Sequence, residues 1–331
     1  MALEYFEMMR RAALITFAAL LTAAPAIAQT AASRGVETLA LPRDVTFPEG
    51  IAYDPADAAV YTGSAATGTL VRIDVKTHAS RIVAPAGVLL PKGETTFPAV
   101  LGMKIDGERR LWIAGGRTGR FWVVDSRSGQ VIKQLEVPAP SKSLINDLAV
   151  VGGAAYFTDT TAPTLWRIQS RGHEIGPLEP WIDFTGTALQ YYEGANLNGI
   201  AATADGRALI VVQMGKGLLF RIDLQTKQVS AIDTAGADLT GADGLVLDGD
   251  ILYVVRQTAV EIATVRLSPD LAKGTVINRF TDPLLAWPAT AAKVGDRLLV
   301  VNTQFNTRTD KKETLPFTIA SVPLARLLPA K

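Results

Sequence analysis

The chain has 331 residues, with 33 Lys and Arg against 32 Asp and Glu, and a formal net charge of +1. This balance leaves no basic stripe, so we expect no nucleic-acid partner. The absence of cysteine excludes disulfides and thiolate metal sites. The only two histidines, His78 and His173, argue against a histidine dyad or a His-rich metal site.

The N-terminus has the pattern of a secretory signal. Arg10 and Arg11 precede an apolar run over 12–21, and Ala26-Ile27-Ala28 is a small-x-small cleavage site. We therefore predict a Sec-type signal peptide over 1–28 and a periplasmic or secreted protein that begins at Gln29. The alternative is an uncleaved anchor, but the run is short for a bilayer core of about 30 Å. No later stretch reaches about 18 unbroken apolar residues, so we expect no membrane span after cleavage.

The rest of the chain, 29–331, repeats roughly every fifty residues, which suits four short strands and their turns. A polar or turn residue, a small residue and alternating apolar residues recur, some only approximately, with first residues at Glu49, Leu101, Asn146, Asn198, Asp243 and Pro288. Further alternating segments follow each start, as at 111–114 and 121–125, and this period of two predicts strands with one buried face.

No amphipathic helix separates these strands, which argues against a βαβ sheet. The repeat predicts an all-β fold, a six-bladed β-propeller with blade starts near 49, 101, 146, 198, 243 and 288. A β-helix and a two-sheet sandwich are the rival architectures, but the repeats are too long for the first and too many for the second. The segment 36–41 is predicted to be a strand that completes the last blade beside 317–322.

In a propeller the first strand of every blade lines the central channel, so the six starts should converge at one end of it. Four of them have oxygen donors: Glu49, Asn146, Asn198 and Asp243. Any one of these residues alone would be an ordinary turn residue. Their shared register favours a metal site instead, and hard oxygen donors favour Ca²⁺, with Mn²⁺, Zn²⁺ or Mg²⁺ as alternatives.

The motifs at these positions resemble those of the senescence marker protein/gluconolactonase family, which is itself similar to diisopropyl fluorophosphatase and, more distantly, to the paraoxonases. The residues that carry the resemblance are Phe47-Pro48-Glu49-Gly50, Ile145-Asn146-Asp147, Leu197-Asn198-Gly199 and Ala242-Asp243-Gly244. The resemblance implies a six-bladed propeller with one catalytic divalent cation, usually calcium. It also implies that Glu49, Asn198 and Asp243 are metal ligands, that Asn146 is a ligand or a substrate-facing amide, and that Asp243 is the base or nucleophile.

The sequence departs from this family at a position that concerns the substrate. Sugar-lactone members have an arginine two residues before the asparagine of the Asn-Asp pair, where this chain has Leu144. The loops that we expect to face the substrate carry Phe97, Tyr191, Tyr192, Trp287 and Phe305, although such residues can equally pack between blades. If these aromatic residues line the pocket, the substrate is more apolar than a sugar.

These observations predict an exported metal-dependent hydrolase of lactones or related esters, acting on a small-molecule substrate, with Asp243 and Asn146 as catalytic residues. A metal-free propeller similar to strictosidine synthase is the first alternative. A non-catalytic periplasmic binding or scaffold propeller is the second, because propellers serve many functions. No protein partner is evident from the sequence.

Overall fold

The computed structural model describes residues 35–329, and these fold into six four-stranded antiparallel sheets. The predicted six-bladed β-propeller is confirmed. The first three blades consist of β2 (Pro48–Asp54), β3 (Ala59–Ser64), β4 (Leu70–Asp74) and β5 (Ser80–Ala84); β6 (Met103–Ile105), β7 (Arg110–Ala114), β8 (Arg120–Asp125) and β9 (Val131–Glu136); and β10 (Ile145–Val151), β11 (Ala154–Asp159), β12 (Thr164–Arg171) and β13 (Glu174–Asp183).

The other three blades consist of β14 (Leu197–Ala202), β15 (Ala208–Gln213), β16 (Leu218–Asp223) and β17 (Val229–Ile232); β18 (Ala242–Asp248), β19 (Ile251–Arg256), β20 (Glu261–Leu267) and β21 (Gly274–Phe280); and β22 (Pro288–Val294), β23 (Arg297–Asn302) and β24 (Thr318–Pro323) with β1 (Glu37–Ala40). Short 3₁₀ helices cover Pro140–Lys142 and Phe305–Thr307, and one turn of α-helix, α1, covers Leu324–Leu327.

The two ends of the described chain meet in the sixth blade. Strand β1 pairs antiparallel with β24, from Glu37 opposite Ser321 to Ala40 opposite Thr318. This confirms the prediction that the segment 36–41 completes the last blade. The innermost strands β2, β6, β10, β14, β18 and β22 contact one another in that order, and β22 contacts β2, so the ring is closed.

The core lies between neighbouring blades, where the buried faces of the sheets meet. Trp112 and Trp122 are fully buried on the second blade, and Phe121 packs against Phe157 of the third blade with ring centroids 4.8 Å apart and nearly perpendicular planes. Strand β7 is buried along its whole length, and the adjacent residues Phe121 and Trp122 of β8 are both buried. These strands therefore bury both faces between blades, and not the single face that the period of two predicted.

The predicted signal peptide, 1–28, lies outside the described residues. Within residues 35–329, no helix has the length and apolar character that crossing a membrane requires.

Candidate functional site

The innermost strand is irregular near its start in five of the six blades. In the first blade Pro48 pairs with Ser64 and Ile51 pairs with Thr62, so two residues, Glu49 and Gly50, stand opposite one. Such a bulge bends the strand and re-aims the side chains it contains. The same break in register falls on Asn146-Asp147, Asn198-Gly199, Asp243-Gly244 and Ala289-Thr290. Four of the five bulges therefore contain a predicted site residue.

The register corrects the alignment of the sixth blade by one residue. Pro288 pairs with Asn302, as Pro48 pairs with Ser64, so the residue equivalent to Glu49 is Ala289 and not Pro288. In the second blade, the pairing of Met103 with Ile113 makes Leu101 the equivalent of Glu49. These two positions of the ring carry hydrocarbon side chains, and the other four carry oxygen.

The four polar residues share one pocket of about 230 Å³ at one mouth of the channel. Glu49, Asn198 and Asp243 are each 4% exposed and Asn146 is 6% exposed. The structure thus brings together Glu49, Asn146, Asn198 and Asp243, and Leu101 lies beside them in the wall. Burial of two carboxylates in one pocket is unfavourable unless positive charge or hydrogen-bond donors compensate them.

Both asparagines present their oxygen atoms without a donor. The Nδ2 atom of Asn146 donates to Thr160 Oγ1 at 2.9 Å, and the Nδ2 atom of Asn198 donates to Met214 Sδ at 3.2 Å. The Oδ1 atoms of both residues are buried and have no hydrogen-bond partner within residues 35–329, and the same is true of Glu49 Oε2. Because the amide nitrogens are engaged by the protein, the free oxygens are the atoms left for a ligand in the pocket.

A second set of residues supports the first, and the sequence analysis missed it. In three blades, the first residue after the second strand contacts the site residue of the same blade. Thr160 contacts Asn146, Met214 contacts Asn198, and Gln257 donates to Asp243 Oδ2 at 2.6 Å. In the first blade Ala65 occupies this position, one residue after Ser64. An alanine side chain has no donor, which is why Glu49 lacks support of this kind. The sequence could have indicated these supporting residues, because each of them lies one residue beyond the end of the second strand of its blade.

Asp147 is a third buried carboxylate that the site prediction did not include. It occupies the second bulge position, where four other blades have glycine: Gly50, Gly102, Gly199 and Gly244. Its Oδ1 atom accepts from Leu148 N at 2.8 Å and from Lys104 Nζ at 3.4 Å, and its Oδ2 atom accepts from Ile200 N at 3.4 Å. A Cβ atom at Gly102 would lie 2.4 Å from Asp147 Oδ1, so glycine at that position leaves room for the carboxylate.

The carboxylates repel one another in this pocket. Burial raises the pKa of Glu49 well above its ordinary value, and the charges of Asp243 and Asp147 raise it further, whereas Lys104 lowers it. Burial, followed by the charge of Asp147, likewise raises the pKa of Asp243 well above its ordinary value. A bound cation would relieve both effects.

The donor set fits a hard divalent cation. Carboxylate and amide oxygens are the ligands that Ca²⁺ takes in proteins, and the two carboxylates would balance its charge. Within residues 35–329, no three His, Cys, Asp or Glu side chains are gathered into a ready-made metal site. The candidate set therefore depends on the amide oxygens of Asn146 and Asn198 as well as on the carboxylates of Glu49 and Asp243.

The wall of the pocket is apolar on one side. Phe97, Leu144 and Phe305 line it, and the rings of Phe97 and Phe305 are 5.2 Å apart between centroids. All three are among the residues that we expected from the sequence to lie near the substrate.

The structure does not place the other three aromatic residues in this wall. Tyr191 is a packing residue, since its ring stacks on Phe184 and its hydroxyl donates to the carbonyl oxygen of Asp159 at 2.6 Å. Tyr192 is engaged by its own loop, where its hydroxyl donates to Ala195 O at 3.3 Å. Trp287 precedes the last innermost strand and accepts at its backbone oxygen from Thr303 N. For Tyr191 and Tyr192 the packing alternative is the better description.

The fold and the site define the class of protein: a closed six-bladed propeller with two buried carboxylates and two amides gathered at one mouth of its channel. The model of the family described as SMP-30/Gluconolactonase/LRE-like region matches residues 26–146, a part of the chain that includes Glu49 and Asn146. The resemblance indicated by the sequence motifs is thereby confirmed. A comparison with curated proteins finds no sequence match.

Solved structures share the fold at low sequence identity. A calcium-binding protein, regucalcin, from Agrobacterium tumefaciens str. C58 is 15% identical with a TM-score of 0.61, covering 86% of this chain and 92% of that chain. A gluconolactonase from Xanthomonas campestris is 17% identical with a TM-score of 0.59, covering 89% and 92%. The major Malassezia sympodialis allergen Mala s 1 is 13% identical with a TM-score of 0.64, covering 87% and 95%. These likenesses show the architecture, which hosts more than one function.

Proposed function

We propose that this protein is an exported, metal-dependent hydrolase of lactones or related esters. Glu49, Asn146, Asn198 and Asp243 would hold one divalent cation, calcium in the first instance. The observation that carries the proposal is that three buried oxygens of this set, Glu49 Oε2, Asn146 Oδ1 and Asn198 Oδ1, line one pocket without a donor among the described residues. A buried oxygen without a hydrogen-bond partner destabilises the folded protein. A cation bound by all of these oxygens would explain why polar residues recur at the same position in four blades.

The residues of the site would have different roles in hydrolysis. The chemistry that a bound cation supplies is polarisation of the substrate carbonyl and stabilisation of the oxyanion that develops. Asn146 and Asn198 would add no charge to the site, which keeps a bound cation electrophilic. Gln257 holds Asp243 through Oδ2, so Asp243 would accept a proton from water at Oδ1 as the general base.

The shape of the pocket supports a substrate with an apolar or aromatic body. Leu144 replaces the arginine expected for a sugar lactone, and it lies in the same wall as Phe97 and Phe305. Such a wall binds hydrocarbon by burial of apolar surface and offers few partners to the hydroxyls of a sugar.

Calcium titration tests the metal part of the proposal. Calcium should raise the melting temperature and chelator should lower it, because a ligand bound only by the native state stabilises that state by mass action. Parallel titrations with Mn²⁺, Zn²⁺ and Mg²⁺ establish the preferred metal. A melting curve that responds neither to cations nor to chelator would favour the metal-free, strictosidine-synthase-like alternative.

The catalytic part is tested with Asp243→Asn on a panel of lactones and aryl esters at saturating calcium. We expect hydrolysis to fall by about 10²–10⁴-fold, the usual contribution of a general base. Asp205→Asn is the matched control, because Asp205 is exposed in a hairpin turn where asparagine serves equally well. Equal rates for the wild type and Asp243→Asn would remove Asp243 from the mechanism. A protein that binds calcium but hydrolyses nothing on the panel would favour a binding or scaffold role.

A further inference from the structure

A single guanidinium lies in the wall of the candidate pocket. Among the described residues that line it, Arg117 is the only one with a positive charge. Its side chain is exposed and forms no ion pair or hydrogen bond with residues 35–329. Arg120, three residues further along the same turn, is instead paired with Glu94 at 2.8 Å and with Glu136 at 3.4 Å. Of these two arginines, Arg117 is therefore the one whose guanidinium is available to a ligand.

The backbone holds Arg117 between two parts of the site. The preceding residue, Gly116, forms a bridge with Ile145, the neighbour of Asn146, through hydrogen bonds of 2.8 and 3.0 Å. The amide of Arg117 itself donates to Pro98 O at 2.9 Å, beside Phe97. Gly116 has a φ of 56°, and a Cβ atom there would lie 2.2 Å from Pro98 O. The turn is thus closely packed, and the start of the arginine side chain is held in place.

A second cation lies at the same rim. The guanidinium carbon of Arg308 is 3.8 Å from the centroid of the Phe97 ring, a cation–π contact. No carboxylate within residues 35–329 forms an ion pair with Arg308. The aromatic wall is therefore flanked by positive charge, and the carboxylates of Glu49 and Asp243 are buried whereas Arg117 is exposed. Such an arrangement attracts an anionic ligand to the rim.

We propose that the substrate carries a carboxylate on its apolar body, remote from the reacting carbonyl, and that Arg117 binds this carboxylate. This inference rests on the proposed hydrolase function and specifies its substrate class. The sequence has Leu144 where sugar-lactone members of the family have an arginine. Arg117 supplies a guanidinium to the same pocket from a different loop. Arginine suits this role because its planar fork matches a carboxylate with two parallel hydrogen bonds.

Hydrolysis of such a substrate gives a product whose binding can be measured without any catalysis. Hydrolysis breaks the acyl carbon–oxygen bond, places the hydroxyl of water on the acyl carbon and a proton on the leaving oxygen. An ester whose acyl part bears the carboxylate therefore yields a dicarboxylate and an alcohol, and a carboxylate-bearing lactone yields a dicarboxylate that keeps the hydroxyl group. One carboxylate would lie at the base of the pocket and the other at Arg117.

The binding experiment compares α,ω-dicarboxylates from succinate to adipate with monocarboxylates of the same chain length. Thermal shifts are measured with calcium present for the wild type, Arg117→Gln and Arg207→Gln. Arg207 is an exposed arginine in the hairpin at the far end of its blade, so its variant matches the change in charge. We expect the best dicarboxylate to bind the wild type and Arg207→Gln about ten- to a hundredfold more tightly than it binds Arg117→Gln. Binding of the monocarboxylates should be the same in all three proteins.

Kinetics then separate this inference from the proposed function. The substrates are mono-4-nitrophenyl glutarate, which carries a carboxylate, and the neutral 4-nitrophenyl butyrate. The wild type should prefer the glutarate ester. Arg117→Gln should lose this preference and hydrolyse the butyrate ester at the wild-type rate. Hydrolysis with no effect of Arg117→Gln on either binding or preference would overturn the inference and leave the hydrolase function standing. Dicarboxylate binding that depends on Arg117 without hydrolysis of either ester would refute the hydrolase and leave an anion site. Equal binding of dicarboxylates to all three proteins, or none to any, would also overturn it.

Discussion

Replacement of Glu49 by glutamine should have opposite effects on the metal-free and on the calcium-bound protein. Glu49 is buried, its Oε2 atom has no donor, and burial together with Asp243 and Asp147 raises its pKa. Without a cation, Glu49→Gln removes one of these buried negative charges and keeps the volume of the side chain. We therefore expect the free energy of unfolding to rise by about 1–3 kcal/mol, the usual cost of an unsatisfied buried group. This corresponds to a melting temperature higher by a few degrees.

With calcium, the same change should weaken the response. At a calcium concentration about 100 times the wild-type dissociation constant, the wild type gains about 2.7 kcal/mol. If the loss of one ligand charge weakens binding about 100-fold, Glu49→Gln gains only about 0.4 kcal/mol at that concentration. The increments of the two proteins should thus differ by about 2 kcal/mol.

The assay is chemical and thermal denaturation of both proteins, first in chelator and then in calcium at that fixed concentration. Glu37→Gln is the control, because Glu37 is exposed on the outermost strand of its blade. It should change neither the stability in chelator nor the calcium increment. The reasoning is refuted if Glu49→Gln lowers stability in chelator and leaves the calcium increment unchanged, since Glu49 would then be an ordinary structural residue.

Three further predictions concern pH, packing and processing. In chelator, the pKa values of Glu49 and Asp243 are raised above their ordinary 4.5 and 3.8, so the native state holds more protons than the unfolded chain. The stability that these groups contribute is present below the ordinary values and is lost as pH rises through the raised ones. Melting temperatures in chelator should therefore fall as the pH is raised above the ordinary carboxyl values, and a rise would contradict the assignment. Gly199→Ala should destabilise the protein by about 1–3 kcal/mol, because its Cβ would lie 2.2 Å from Asp243 O, whereas Gly107→Ala, with nothing within 4 Å, should be neutral in the same denaturation assay. The exported protein should begin at or near Gln29, which intact-mass measurement checks, and retention of the arginines at 10 and 11 would count against the signal peptide.

Much of the fold could be predicted from the chain because each blade is a local structure. The alternation of apolar residues and the repeat near fifty residues depend only on neighbouring segments, and they predicted six four-stranded sheets. The pairing of β1 with β24 was also predictable, since a strand at the start of the repeat region had no partner in the first blade. The four oxygen-bearing residues were found for the same reason, as members of one column of the repeat.

The structure decided what depends on the exact register and on closure of the ring. The bulge in β22 shifted the sixth position from Pro288 to Ala289, which no count of residues between motifs could reveal. Tyr191 looked like a loop residue available to a substrate, but contacts of its ring and hydroxyl within the protein engage it elsewhere.

The sequence by itself thus determined the architecture and the column of polar residues, because both follow from periodicity along the chain. Only the tertiary structure decided which other groups meet that column. Asp147 and Lys104 come from different blades, and so do Asn146 and Arg117, so their proximity exists only once the blades pack around the channel. Contacts between blades carry no periodic signal, since each depends on the side chains of two segments that are adjacent in space and distant in sequence.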